Sequence, residues 1–163
     1  MSGTKRVFFY AGMLAVLLSA CSAAKPGTGR DATPHFFRTI GEASAIDVSD
    51  RGGRIVRQFG YNMRREQGPP AIEIETEWKL RRPYDDEARA GADNAQSRVI
   101  IRGRQRSTPG SLVLYNIEVN VENRLQVNGS SQWTFAPMTE RFRLHADSIA
   151  SELERELRNV TRR

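Results

Sequence analysis

The sequence predicts an α+β protein, a two-layer sandwich in which an antiparallel sheet of three to five strands carries two helices packed on one face. Three observations predict it. Apolar and polar residues alternate from Ile72 to Leu80 and, over a longer run, from Val113 to Val127, which is the period of half-buried strands. Near the C-terminus Phe142, Ala146, Ile149, Leu153, Leu157 and Val160 recur at spacings of three and four, the stripe of an amphipathic helix. Turn residues separate the strand-like runs, so the strands follow one another directly and the helices cover a single side.

The chain opens with Lys5-Arg6, an apolar run from Val7 to Leu18, and Leu18-Ser19-Ala20-Cys21. A basic start, a short apolar run and small residues before a cut site predict a signal peptide over residues 1–20. The run is too short for a comfortable permanent span, which takes ~20 apolar residues. Leu-Ser-Ala-Cys resembles the lipobox of bacterial lipoproteins, and Cys21 is the only cysteine in the sequence. The resemblance implies that the Cys21 sulfur takes a diacylglycerol and that Cys21 becomes the mature N-terminus. A thiol is nucleophilic enough for that thioether, and two or three acyl chains at ~0.8 kcal/mol per buried methylene make a stable anchor. Ser22 stands where family members kept at the inner membrane carry an aspartate, so the outer membrane is the address the resemblance implies.

With Lys5 and Arg6 removed, 23 basic residues face 19 acidic ones. A modest positive charge suits anionic lipid head groups, and nucleic acid is not expected as a partner outside the cytoplasm. No second cysteine is left for a disulfide, so the fold must rest on packing. Residues 21–34 read as the lipidated N-terminus and a tether with a coil reach of ~20 Å. Residues 35–163 read as one domain.

Within that domain His35-Phe36-Phe37-Arg38-Thr39-Ile40 is either an edge strand or a docking segment, with His35 solvated at the end of the tether. Asp47 or Ser49 is expected to cap a helix bearing Val48, Ile55, Val56, Phe59 and Met63, which starts late if Gly52-Gly53 weaken it. Gly68-Pro69-Pro70 stops it. A strand follows, with Ile72, Ile74, Thr76, Trp78 and Leu80 facing the core and Glu73, Glu75, Glu77 and Lys79 facing water.

Residues 82–96 are polar and read as a long loop. Asp85-Asp86-Glu87 lack the alternating spacing and glycine of a calcium loop, so a solvated cluster without metal is expected. Arg98 to Arg106 predicts a second strand, with Val99 and Ile101 on one side and Ile100, Arg102, Arg104 and Arg106 on the other. Thr108-Pro109-Gly110-Ser111 predicts the turn after it. In the next strand Val113, Tyr115, Ile117, Val119, Val121, Leu125 and Val127 take the odd positions, interrupted only by Asn123. Asn128-Gly129 predicts a hairpin turn into a short strand over Gln132 to Phe135. Pro137 opens a final helix of about six turns, with Glu140 at its start and Arg158, Arg162 and Arg163 at its end suiting the helix dipole. His145 borders its apolar stripe and reads as a boundary residue.

The run Thr76-Glu77-Trp78, then Arg81, Asp86-Glu87 and Arg98, looks like the repeated helix-grip domain of the C-subunit lipoprotein of the outer-membrane β-barrel assembly machinery, over about Ile55 to Arg106. This chain has one such domain where that family has two, and a longer insert before the second strand. Helices on one face of an antiparallel sheet after a lipobox are also similar to the lipoprotein plug of the lipopolysaccharide transport pore. Both resemblances imply a non-catalytic accessory protein of the envelope. Two alternatives stand beside it. One is a lipid A or lipopolysaccharide binder that uses Arg102, Arg104 and Arg106 as bidentate phosphate contacts, unless Glu73, Glu75 and Glu77 neutralise that row across the strands. The other is a hydrolase. No Gly-x-Ser-x-Gly, Ser-x-x-Lys or phosphate-cradling glycine loop occurs, so no catalytic residue, cofactor or metal is assigned.

Overall fold

The computed structural model describes residues 35–106 and 113–161, the side chains of Val160 and Thr161 excepted. Cys21, the turn at 108–111, Arg162 and Arg163 lie outside the described residues. Asp31–Arg163 form one compact unit.

The α+β sandwich is as expected, and its antiparallel sheet has seven strands. Strand β1 is His35–Ala43, β2 Met63–Gln67, β3 Ala71–Thr76, β4 Lys79–Arg81, β5 Ala92–Arg106, β6 Leu114–Val127 and β7 Thr134–Phe135. The order across the sheet is β1-β6-β5-β3-β2, with β4 extending along β5 and β7 along β6. All pairings are antiparallel, and β5 and β6 form the long central hairpin in register from Asn94↔Gln126 to Arg106↔Leu114. Of the two readings for residues 35–40, the edge strand is the one observed, with His35 opposite Glu122 and Ala43 opposite Tyr115.

The first helix is continuous through α1 (Ala45–Asp47), a π-helical segment Val48–Gly52 and α2 (Gly53–Gln58). Its cap is Ser44, whose hydroxyl accepts from Asp47 N at 3.2 Å, in place of the expected Asp47 or Ser49. Gly52-Gly53 do not delay the helix. Gly52 brings it close to the sheet, where a Cβ would stand 3.0 Å from Ile74 Cδ1 and 3.2 Å from Ile101 Cδ1. The helix ends at Gly60, whose φ of +76° is left-handed, and not at Pro69. Met63, expected on its stripe, instead begins the edge strand β2, whose Arg-Arg-Glu-Gln sequence has no apolar alternation to announce it.

The last helix, α4 (Glu140–Thr161), runs 22 residues and buries Phe142, Ala146, Ile149, Leu153 and Leu157 as its stripe predicts. Together with Val48, Ile55 and Val56 of the first helix it covers Ile72, Ile74, Val99, Ile101, Tyr115, Ile117, Val119 and Val121. Arg38 on β1 clips the edge of this layer, reaching Asp147 and Glu154 on α4. The two helices are joined by Arg51 and Glu156 at 3.1 Å. Burial of these side chains, at ~1.5–3 kcal/mol each, is the main force holding the layers together.

Two expected faces are reversed by one extra residue. β3 pairs Glu75 with Ile100, whereas β4 pairs Lys79 with Ser97, so a bulge at Thr76-Glu77-Trp78 shifts the register by one. Because side chains alternate with period two, everything beyond the bulge changes sides. Trp78 and Leu80, expected in the core, lie on the uncovered face, and Leu80 is 69% exposed. Lys79 and Arg81 turn toward the helices instead. The bulge is satisfied locally: Thr76 Oγ1 accepts from Val99 N at 2.9 Å, and Glu77 N donates to Asn62 O at 2.9 Å.

The polar stretch 82–96 is not one loop. It holds α3 (Asp85–Arg89) and the first residues of β5. The expected return strand narrows to Thr134–Phe135 after Asn128 and Gly129, with φ of 51° and 72°, make the tight turn.

Candidate functional site: the uncovered face of the sheet

Among the described residues no helix covers the second face of the sheet, and its side chains come from alternate positions of the strands. Even-numbered residues of β5 and β6 carry most of it. Each arginine proposed from the sequence is engaged there. Arg102 Nε donates to Glu73 at 3.0 Å, Arg104 stands 3.7 Å from Glu118, and Arg106 pairs with Glu42 of β1. The row therefore pairs across strands, but only Arg102 meets the expected Glu73, because β5 has β6 on its other side. Glu75 is taken by Arg98, which also donates to Glu122 at 2.6 Å. Beneath these charged arms Ile100, expected on the solvent side, is only 3% exposed. Long charged side chains cover an apolar residue with their stems in this way.

Toward the β7 end the face changes character. Arg124 lies 4.2 Å from the ring centre of Trp78 and 4.3 Å from that of Phe135, and Arg98 lies 4.7 Å from Trp78. The two rings meet edge to face at 6.3 Å. Among the described residues Arg124 has no carboxylate partner, and its buried Nε has no hydrogen-bond acceptor. A guanidinium held by two aromatic faces is fixed in direction while its charge stays unneutralised. Phe135 and Leu80, each about half exposed or more, flank it with apolar surface.

The side beneath the helices carries a second polar group of residues. Arg81 Nη1 and Nη2 donate to the two oxygens of Glu87 at 2.7 and 2.6 Å, and Nη2 also donates to Asn123 Oδ1 at 2.8 Å. Asn123 Nδ2 returns a bond to Glu87 at 2.8 Å, and Tyr84 N donates to Glu87 at 2.8 Å, closing the first turn of α3. Nearby, Tyr61 Oη shares hydrogen bonds with Ser97 Oγ at 2.8 Å and His145 Nε2 at 3.3 Å. His145 is half-buried at the edge of this group, the boundary position expected of it. Burial lowers its pKa from 6.5, helped by the positive charges of Arg81 and Lys79. Burial likewise raises the pKa of Tyr61.

The three acidic residues of α3 point to different places. Glu87 is inside, and Asp86 accepts from the backbone of Arg141 at 3.1 Å and of Glu87 at 3.0 Å. Although desolvation opposes it, these hydrogen bonds hold the Asp86 pKa below its ordinary value. Among the described residues no three His, Cys, Asp or Glu side chains stand together as a metal would require. No helix among them is long and apolar enough to cross a membrane.

Sequence reading missed Arg124, Trp78 and Phe135 as a group, since Trp78 was expected in the core. It also missed the Arg81–Glu87 pair, although Asn123 interrupting the apolar row of β6 was a visible sign of it. No family model, curated protein or solved structure matches the chain.

Proposed function

We propose that the chain is a lipid-anchored, non-catalytic binding protein of the cell envelope that serves outer-membrane assembly or transport by holding a protein partner on its uncovered sheet face. The observation that carries the reading is Arg124, clasped by Trp78 and Phe135 with no carboxylate partner among the described residues. Trp and Arg dominate binding hot spots, and a rigid cation set in apolar surface recognises a carboxylate that arrives with an apolar neighbour. The lipobox at Leu18–Cys21 supports the anchored setting. Pairing of Arg102 and Arg106 with Glu73 and Glu42 supports a protein partner over lipopolysaccharide phosphates, which would have to displace those carboxylates.

Crosslinking pull-down from native membranes, read for both proteins and co-purifying lipid, tests this. Arg124→Glu is expected to lower recovery of a specific envelope protein at least tenfold, matching the loss of a hot spot worth ~2 kcal/mol. A variant with Arg102, Arg104 and Arg106 all changed to glutamine is expected to keep it. Loss of bound lipopolysaccharide in the triple variant, with Arg124→Glu unaffected, would replace the partner reading with the lipid one. Hydrolytic turnover by the purified protein would overturn both.

A further inference from the structure

We infer that the end of the sheet opposite β7 is a membrane-contacting tip, which rests on an anionic phospholipid surface and sets the orientation of the anchored domain. At this end Ala45, Ile46, Pro69, Pro70, Val113 and Tyr115 line an apolar groove of about 650 Å³. Ile46 is 74% exposed and Val113 47%, so two branched apolar side chains face water at this end of the sheet. At the opposite end of the sheet the turn carries Asp93, Asn128, Gly129 and Ser130, and the exposed Phe135 and Leu80 there lie beside Arg124 on the sheet face.

Charge and reach select a bilayer as the occupant. On the other side of the same tip is Arg104, 77% exposed, whose carboxylate partner among the described residues, Glu118, stands 3.7 Å away. An arginine beside exposed apolar residues fits the phosphate level of an anionic leaflet while the apolar groups enter the acyl boundary. The geometry of the anchor allows it. His35 is opposite Glu122, eight residues along β6 from Leu114 at the tip, or ~26 Å at the rise of a strand. Thirteen residues, Ser22 to Pro34, span at most ~45 Å, so a chain held at Cys21 reaches a bilayer that the tip touches. The inference rests on the anchored reading, and the experiment separates the two.

Because Cys21 is the only native cysteine, a single reporter cysteine can be placed at Ile46 or at Ser130 and labelled with an environment-sensitive dye. Two forms are placed on vesicles containing phosphatidylglycerol and lipid-borne quencher. One is the lipidated chain purified from membranes. The other starts at residue 21, carries Cys21→Ser, and is held by an N-terminal histidine tag and a nickel-chelating lipid, so the tip is read even if the cell adds no lipid. In both forms the dye at position 46 is expected to be quenched several-fold more than the dye at 130. The difference should shrink on phosphatidylcholine and in high salt, as exposed charges are screened. Deleting residues 24–31 leaves a five-residue link spanning at most ~17 Å, and is expected to remove quenching at 46 in the lipidated form. Equal quenching at the two positions, or none at 46 on vesicle-bound protein, would overturn the tip and leave the anchor standing. Concentration-dependent burial of the dye at 46 without vesicles would assign the groove to a second copy of the chain and overturn it as well.

Discussion

Arg81 and Glu87 meet in a two-pronged ion pair beneath the helices, with Glu87 wholly buried and Asn123 bonded to both partners. Arg81 lies where the alternation, continued past Leu80, gives solvent, and Glu87 lies in the stretch that reads as a solvated loop. Desolvating them costs several kcal/mol per ion, offset only while both partners and the amide are in place. Glu87→Ala is therefore expected to destabilise the fold by about 3–5 kcal/mol in urea denaturation. Changing both, with Arg81→Met and Glu87→Leu, should restore much of that loss. A Glu87→Ala variant as stable as the native chain would show that the pair contributes nothing to folding.

The glycine pair of the first helix gives opposite expectations at adjacent positions. A side chain at Gly52 runs into Ile74 and Ile101, so Gly52→Leu should cost about 1–3 kcal/mol by overpacking. At Gly53 a Cβ meets only the mobile end of Arg57, 3.2 Å away. Gly53→Ala is expected to gain about 0.5–1 kcal/mol, the usual helical preference. Thermal melts of the two variants would move in opposite directions. Equal shifts would mean that the helix does not approach the sheet through Gly52.

His145 ties stability to pH. Its ring lies among Phe59, Tyr84 and Phe142, at centroid distances of 6.1 to 6.5 Å, and its folded pKa is lowered below 6.5 by burial and by Arg81 and Lys79. The unfolded chain therefore takes up the proton first. The stability contributed by neutral His145 is complete above about pH 6.5 and is lost as pH falls through the lowered folded value. Melts between pH 7 and pH 5 should show a decline that His145→Gln flattens. A decline of the same slope in the variant would assign the effect to other groups.

The odd-position row of β6 and the stripe of α4 were legible because each has one wet and one dry face over many residues. Register was not. Nothing in Thr76-Glu77-Trp78-Lys79 marks a bulge, since the alternation continues unbroken through it, so Trp78 was assigned to the wrong side. β2 was illegible for another reason: an edge strand of Arg64, Arg65, Glu66 and Gln67 buries almost nothing and therefore has no period. The candidate site inherits both effects. Arginines at alternate positions predicted an uncovered charged face, but which of them lacks a carboxylate depends on the strand order, with β6 beside β5.

We propose that this domain works at a membrane on a lipid anchor, and the intact mass of the membrane-extracted chain decides it. The expected mass is that of residues 21–163 with a diacylglyceryl group and any further acyl chain, and Cys21→Ala is expected to release the chain from membranes or to keep it there with an uncut signal. A chain that still begins at Met1, or one of residues 21–163 with no lipid added, would contradict it.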